Sequence, residues 1–399
     1  MKKIFIMNLG TTSFKFKLFH DSGDAQTVQA SGEIESVGAA LSRYELQYQD
    51  GRKQSGDTVI ADHGAGFAFF MEALQRDGIL RSMEDLDAVG YKAVHGGSLS
   101  GTKVVDDALL AEMERVIPLA PAHNPIYLSA MRDIRKRYPN LLQVARFETS
   151  FHGTIPDCRT TYGVPYQWRE QLGIRKYGFH GSSHEYIAGR TAQLVPGARR
   201  VISCHLGGSS SICAILDGKS AAATMGATAQ SGLFHNNRVG DFEVFCLPML
   251  MEHYNGSLDA VLRVLSKESG LLGLSGVSND LRLVMDAMDA GDAHAKLAVE
   301  TLADNIVGYI GMFAAYLNGL DVLVFTGGIG TNSARLRQMV CSRLGYLGVE
   351  LDQKKNDANQ EKQISSQRSG VTVLRLKTDE ELVVARNVSQ LLDQQAAYV

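Results

Sequence analysis

The sequence predicts an α/β protein of two domains, each opening on the same strand–bend–strand unit. Three observations lead there. Residues 4–19 (IFIMNLGTTSFKFKLF) and 201–216 (VISCHLGGSSSICAIL) follow one plan: an apolar strand, a Leu-Gly pair, small hydroxyl or glycine residues, and a second strand. Leu9-Gly10 aligns with Leu206-Gly207, and a unit repeated in each half marks an internal duplication. The chain has 399 residues, a length at which two domains are the prior expectation. Strand-period and helix-period segments alternate along it.

The elements follow in order. Residues 2–20 form the first hairpin, and 27–35 and 42–49 alternate as further antiparallel strands. Residues 63–76 are helical, with Phe67, Phe70, Met71 and Leu74 on one face. A buried strand over 86–94 delivers Lys92, His95, Gly96 and Gly97 at its C-terminal end. Helices are expected over 107–116 and from Pro125 to about Tyr138, and a strand over 141–147 ends on Glu148. There the first domain closes, giving 1–149, with a terminal helix over about 382–399 packing back on it. The second domain, 150–381, starts with a loop-rich stretch. Ser182 and Glu185 have capping-box spacing, which places a helix start near Ser183. Residues 199–224 hold the second hairpin. Residues 292–319 read as a long helix, apolar nearly all round and therefore central and buried. Residues 321–326 form a strand feeding Gly327-Gly328-Ile329-Gly330, and Asn332 begins the next helix. Residues 352–370 are polar and loop-like, and 371–374 are a strand.

Composition narrows the function. A net charge of −3 gives no bulk attraction to nucleic acid or anionic membrane, so an anion site must be a local constellation. The five cysteines are scattered without a CxxC, a reduced, cytoplasmic usage. The first ten residues carry too short an apolar run for a secretion signal, and no stretch of about 18 apolar residues predicts a membrane span.

The twin bends are the strongest chemical signal. Glycine permits the backbone to turn successive N–H groups inward, and Thr11, Ser13 and Ser209 add hydroxyl donors; such concavities bind phosphate. One such bend is weak, because most are plain hairpin turns. A matched pair reads as a phosphate clamp. Gly328 to Gly330 sit at a strand–helix junction, where a nucleotide approaches a helix N-terminus, though packing alone also favours glycine there. His180 lies between Gly178 and Gly181. It and His184 fail as a zinc pair, since no Glu follows the first and Gly181 breaks the helix. For His123, between two prolines, the plain structural role is the default. Arg238 in NNRVGD has a surface ion pair as its plainer reading, and Glu148 and Glu380 have simple capping as theirs.

Taken together, the ordered set VHGG at 94–97, PAHNP at 121–125, YGFHG at 177–181, HLGGSSS at 205–211, NRVGD at 237–241, SNDLR at 278–282, TGGIG at 326–330 and TDEEL at 378–382 resembles the acetate kinase family, end to end. The resemblance implies the duplicated ribonuclease-H-like fold of actin, Hsp70 and the sugar kinases, with an active-site cleft between the domains. It implies reversible ATP-dependent phosphorylation of a short carboxylate to an acyl phosphate, with Mg²⁺ (or Mn²⁺) as cofactor, in a homodimer that binds neither nucleic acid nor membrane. By matching motif, Glu148, His180 and Arg238 are catalytic. Lys92, Val94, Ala122, His123, Phe179 and Ala229 line the carboxylate pocket. Asn8, Thr11, Ser13, Lys15, His205, Leu206, Gly207, Gly208, Ser209, Asp280, Leu281, Arg282, Gly328, Ile329, Gly330 and Asn332 surround the nucleotide, and Asn8 and Glu380 hold the metal.

The chain also departs from the family pattern. Lys92 stands for Arg, Glu148 for Asp, Gly208 for Asn and Thr331 for Glu. Lysine lacks the bidentate fork of arginine. Ala122 and Ala229 replace the usual Leu and Pro, which removes volume from one wall of the acyl pocket and predicts acceptance of propionate or larger acids. Two alternatives stay open on sequence: a kinase acting on a hydroxyl with Glu148 as base, and a nucleotide-binding paralogue of weakened turnover serving as sensor or partner.

Overall fold

A computed structural model describes residues 1–23, 25–358 and 362–396. Residues 397–399 of the expected terminal helix and 359–361 of the expected polar stretch lie outside them. The chain divides into two compact units, Met1–Ser150 with Asp379–Val399, and Phe151–Thr378.

The first unit is built on an eight-stranded sheet: β1 (Lys2–Leu9), β2 (Ser13–Asp21), β3 (Gln26–Glu35), β4 (Ser42–Tyr48), β5 (Lys53–Thr58), β6 (Ala88–Ala93), β7 (Thr102–Val104) and β8 (Gln143–Phe147). Its order is β5-β4-β3-β2-β1-β6-β8-β7. β1 pairs antiparallel with β2 and parallel with β6, which is parallel to β8. Alternation along β1 serves two cores. Phe5, Met7 and Leu9 join Phe67, Phe70 and Met131 on the face covered by the helices His63–Arg76 and Asn124–Arg137. Ile4 and Ile6 face Val384, Ala385 and Val388 of the C-terminal helix Glu380–Ala396. Gly90 lets that helix approach: a Cβ there would lie 2.5 Å from the Ile6 side chain and 2.9 Å from that of Val388. β5, KQSGDT, carries no strand signal in the sequence, because its alternation is entirely polar and half-exposed.

The second unit repeats the plan with β9 (Arg200–His205), β10 (Ser211–Leu216), β11 (Lys219–Ala223), β12 (Val322–Thr326), β13 (Lys362–Gln363) and β14 (Thr372–Arg375), in the order β11-β10-β9-β12-β14-β13. β9 pairs antiparallel with β10 and parallel with β12, which is parallel to β14. The run β3-β2-β1-β6-β8 thus has its counterpart in β11-β10-β9-β12-β14. Ile202, Ile212 and Leu323 pack toward the helices Leu281–Asp289 and Ala293–Leu317, whereas Val201, Ile215 and Val324 pack toward Ile187 of the helix Gly181–Leu194.

Several elements differ from expectation. The helix Ala293–Leu317 is buried along one face only, with Leu297 56% exposed, because the sheet and the neighbouring helices cover a single side. By length and composition it could cross a membrane, yet Val299, Ile306 and Phe313 belong to this unit's core. Ser182 is not the N-cap of its helix. The helix starts at Gly181, with His180 in the N-cap position at φ 56° and no side-chain cap, and Ser182 is buried inside the first turn. Gly327–Asn332 is itself helical, so Asn332 ends a helix rather than beginning one. The polar stretch contains the short helix Gln353–Asp357 and β13.

Candidate active site

In the first unit the C-terminal ends of β1, β6 and β8 gather charge at one edge, the place where parallel sheets offer ligands their strand ends. Asn8, next to last in β1, donates from Nδ2 to Glu381 Oε1 at 2.9 Å. Lys17 reaches Asp379 Oδ1 at 2.7 Å and Glu381 Oε2 at 3.4 Å. Lys92, near the end of β6, forms a largely buried ion pair with Glu380. Burial works against its charge, but Glu380, Glu148 and Glu381 outweigh that and hold the Lys92 pKa above its usual value. Burial likewise pushes the Glu381 carboxyl up, and Lys92, Lys17 and the Asn8 bond bring it below the ordinary range. Four carboxylates, Glu148, Asp379, Glu380 and Glu381, therefore act on two ammonium groups, so this edge holds a surplus of hard oxygen donors. That donor chemistry suits Mg²⁺, which takes one or two carboxylates and keeps water for the rest. Among the described residues no three His, Cys, Asp or Glu side chains group as a ready-made metal cage.

Lys15 pairs with Glu33 at 2.7 Å across β2 and β3. Glu148 follows β8 directly, is buried, and its N–H donates to the Ala93 carbonyl at 2.8 Å. Val94 and His123 are half-buried, and Ala122 is exposed. His123 is the N-cap residue of Asn124–Arg137. Its neighbour Asn124 is buried and donates to the His95 carbonyl at 2.9 Å, tying this helix start to the end of β6.

In the second unit Arg238 is fixed to the second bend. Its Nη1 donates to Ser209 Oγ at 3.0 Å and to the Ala229 carbonyl at 3.1 Å, which joins three of the predicted residues. Burial lowers the Arg238 pKa, though a guanidinium stays charged in a protein. His180 Nδ1 lies 2.8 Å from Ser211 Oγ, and its ring stacks on His205 at 4.2 Å between centroids. His205 in turn meets Ser183 at 2.8 Å.

Behind them lie residues the sequence reading missed or set aside. His184 bridges Ser203 at 3.0 Å and Ser211 at 2.9 Å. Burial, then His152 and His205, drive its pKa far below the usual 6.5, so it is neutral. His152 donates from Nε2 to the carbonyl of buried Phe179 at 2.9 Å and meets Ser220 at 2.9 Å. No local signal marks this histidine–serine cluster, because its partners are 19 to 68 residues apart in the chain.

A cavity of about 830 Å³ collects half of the predicted nucleotide residues: Gly207, Gly208, Asp280, Leu281, Arg282, Gly328, Ile329 and Asn332. Asp280 caps the helix Leu281–Asp289 and pairs with exposed Arg282 at 2.5 Å. The side chains of Leu206 and Leu281 are buried in the core. Leu206 contributes its backbone instead, its carbonyl accepting the N–H groups of Ile329 and Gly330 at 2.8 and 3.0 Å and so binding the second bend to the Gly327–Asn332 helix. Thr331 turns inward to the Gly327 carbonyl at 2.7 Å.

Residues 3–386 match the model of the acetokinase family. The chain belongs to the acetokinase family. It is 38% identical to the acetate kinase of Halothermothrix orenii over 98% of this chain and 100% of that one. Among solved structures it resembles the acetate kinase of Porphyromonas gingivalis, with 36% identity, a TM-score of 0.88 and coverage of 98% and 100%. It also resembles a propionate kinase from Francisella tularensis, with 33% identity, a TM-score of 0.89 and coverage of 97% and 99%. The two sheets have the actin and sugar-kinase architecture of these acetokinases.

Proposed function

We propose that this chain is an acyl kinase that transfers the γ-phosphoryl group of ATP reversibly and in line to a short-chain carboxylate. The observation that supports it most is the placement of Arg238 on Ser209, a guanidinium held beside a glycine–hydroxyl bend, in a chain related to an acetate kinase over 98% of its length.

Phosphoryl transfer asks for positioning and positive charge around the equatorial oxygens more than for covalent work. Arg238 supplies that charge with its fork pre-oriented by Ser209 and the Ala229 carbonyl. His180 adds a donor at Nε2 whenever the Ser211 hydroxyl donates to its Nδ1, and neutral His184 anchors Ser211. In the first unit, His123 at its helix start and buried Glu148 at its strand end are the groups the family motif assigns to the same reaction. Lys92 orients the carboxylate. The bends hold the phosphates through Thr11, Ser13 and Ser209, and the 830 Å³ cavity takes the nucleoside. Glu380, with Asn8, would hold Mg²⁺, which when bound neutralises phosphate charge.

By the family motif, Ala122 and Ala229 are each smaller than the usual Leu and Pro. We place the substrate range at acetate through butyrate, in keeping with relatives named for acetate and for propionate. A hydroxamate assay across C2 to C5 acids tests both points. Activity is expected on acetate and on at least one longer acid. No hydroxamate from any acid would overturn the function, and a sharp optimum at acetate the range. We further propose a homodimer, since Val244, Phe245 and Met249 are 58, 85 and 74% exposed within one short segment; Phe245→Asp should lower the sedimenting mass. Five free cysteines, three of them buried, suit the reducing cytoplasm where we place the enzyme.

A further inference from the structure

Two histidines outside the predicted site hold the two bends, one in each unit. His63 opens the helix His63–Arg76, and its Nε2 lies 2.9 Å from the Gly10 carbonyl and 3.2 Å from the Ser13 carbonyl. Both partners can only accept, so Nε2 bears the proton. The Thr12 carbonyl is taken separately by the Val37 N–H at 2.9 Å. In the second unit His235 is buried, and its Nδ1 accepts the Ser210 N–H at 2.9 Å. Its proton is therefore on Nε2, toward the Gln230 backbone, and the ring adjoins a cavity of about 10 Å³, room for about one water. The N–H of Asn236, next in the chain, donates to the Gly208 carbonyl at 3.3 Å.

The geometry gives these contacts a purpose. In a planar trans peptide the carbonyl of one residue and the N–H of the next point opposite ways. With the Gly10 carbonyl on His63, the Thr11 N–H is turned to the other side. With the Gly208 carbonyl on Asn236, the Ser209 N–H is turned likewise. Outward N–H groups are what an anion-binding bend needs, and glycine by itself does not choose that form over others.

We propose that His63 and His235 are positioning residues that keep the two bends in the form that accepts a polyphosphate. This rests on the reading of the bends as nucleotide-phosphate sites. The two histidines act through different atoms: His63 donates from Nε2, and His235 accepts at Nδ1. A glutamine amide reaches as Nε2 does and an asparagine amide as Nδ1 does, so rescue is reciprocal.

The test is calorimetric titration of the full chain, in Mg²⁺, with ATP and with AMP, which lacks the β and γ phosphates. His63→Asn and His235→Gln are each expected to lose about tenfold in ATP affinity, with AMP affinity little changed. His63→Gln and His235→Asn are expected to stay near wild type. Equal losses for ATP and AMP, or the same result from Asn and Gln at each position, would overturn the proposal in favour of plain packing. If His235→Gln does not fold, the His63 pair, on a half-buried residue, decides by the same criterion. A wild type that binds ATP and AMP alike also overturns it. A wild type that prefers ATP but forms no hydroxamate sinks the acyl-kinase reading alone.

Discussion

Lys92 shows how much one buried charge can control. It sits on Glu380 while Glu148 and Glu381 act on it from further away. Replacing it with Met leaves Glu380 without this counter-charge at a largely buried position, which typically costs about 3–5 kcal/mol; urea unfolding of Lys92→Met should show a loss of that order. Lys92→Arg keeps the charge and adds the bidentate fork, so the carboxylate KM should fall severalfold with kcat little changed in steady-state assays. Gly208 is the second instructive residue. A Cβ there would have Asn236 Nδ2 at 3.8 Å as its nearest neighbour, and its φ is not positive. The site thus has space for the asparagine usual in the family. Gly208→Asn is expected to tighten nucleotide binding severalfold by calorimetry without lowering Tm.

At the scale of elements, the C-terminal helix Glu380–Ala396 both packs on the sheet and brings carboxylates to the strand ends. Val384, Ala385 and Val388 pack it on β1 and β6, and its first turn brings Glu380 and Glu381 to Lys92, Lys17 and Asn8. The contact depends on Gly90. Gly90→Val would drive side-chain atoms into Ile6 and Val388 and should destabilise by about 1–3 kcal/mol or more. It should also raise the metal requirement, because the carboxylates move with the helix; urea unfolding and a Mg²⁺ titration of nucleotide binding check the two effects. The bends and the hairpins that flank them were legible because a Leu-Gly pair between two alternating strands is a local signal. The helix start at Gly181 was not, since a capping-box spacing says nothing of whether Ser182 faces a helix end or a core.

For the molecule as a whole, acid should be the vulnerable side. His184 is held neutral by burial and by His152 and His205, and burial with Arg238 brings His235 down to about 3. Both bind a proton more readily when unfolded, so their contribution is complete above 6.5 and is lost as pH falls toward the folded values. Each removes about 1.4 kcal/mol of stability per pH unit within that window. Glu381, whose pKa is also depressed, adds a loss below 4.5. Urea midpoints measured from pH 7 to pH 4 should fall steadily, and His235→Asn should flatten the slope. An unchanged slope in that variant would show that His235 does not titrate on unfolding.

The sequence by itself determined the duplication, the strand–bend–strand of each half and the family, because these are written in contiguous residues of fixed spacing. It also named Arg238 and Glu380 by motif. Only the tertiary structure decided what those groups touch: Arg238 on Ser209, Glu380 on Lys92, His180 on Ser211 and, behind the bends, His63 and His235. The physical reason is that a hydrogen bond or ion pair depends on distance and direction in space. Residues 29, 288 and 53 positions apart acquire those only when their strands and helices have packed.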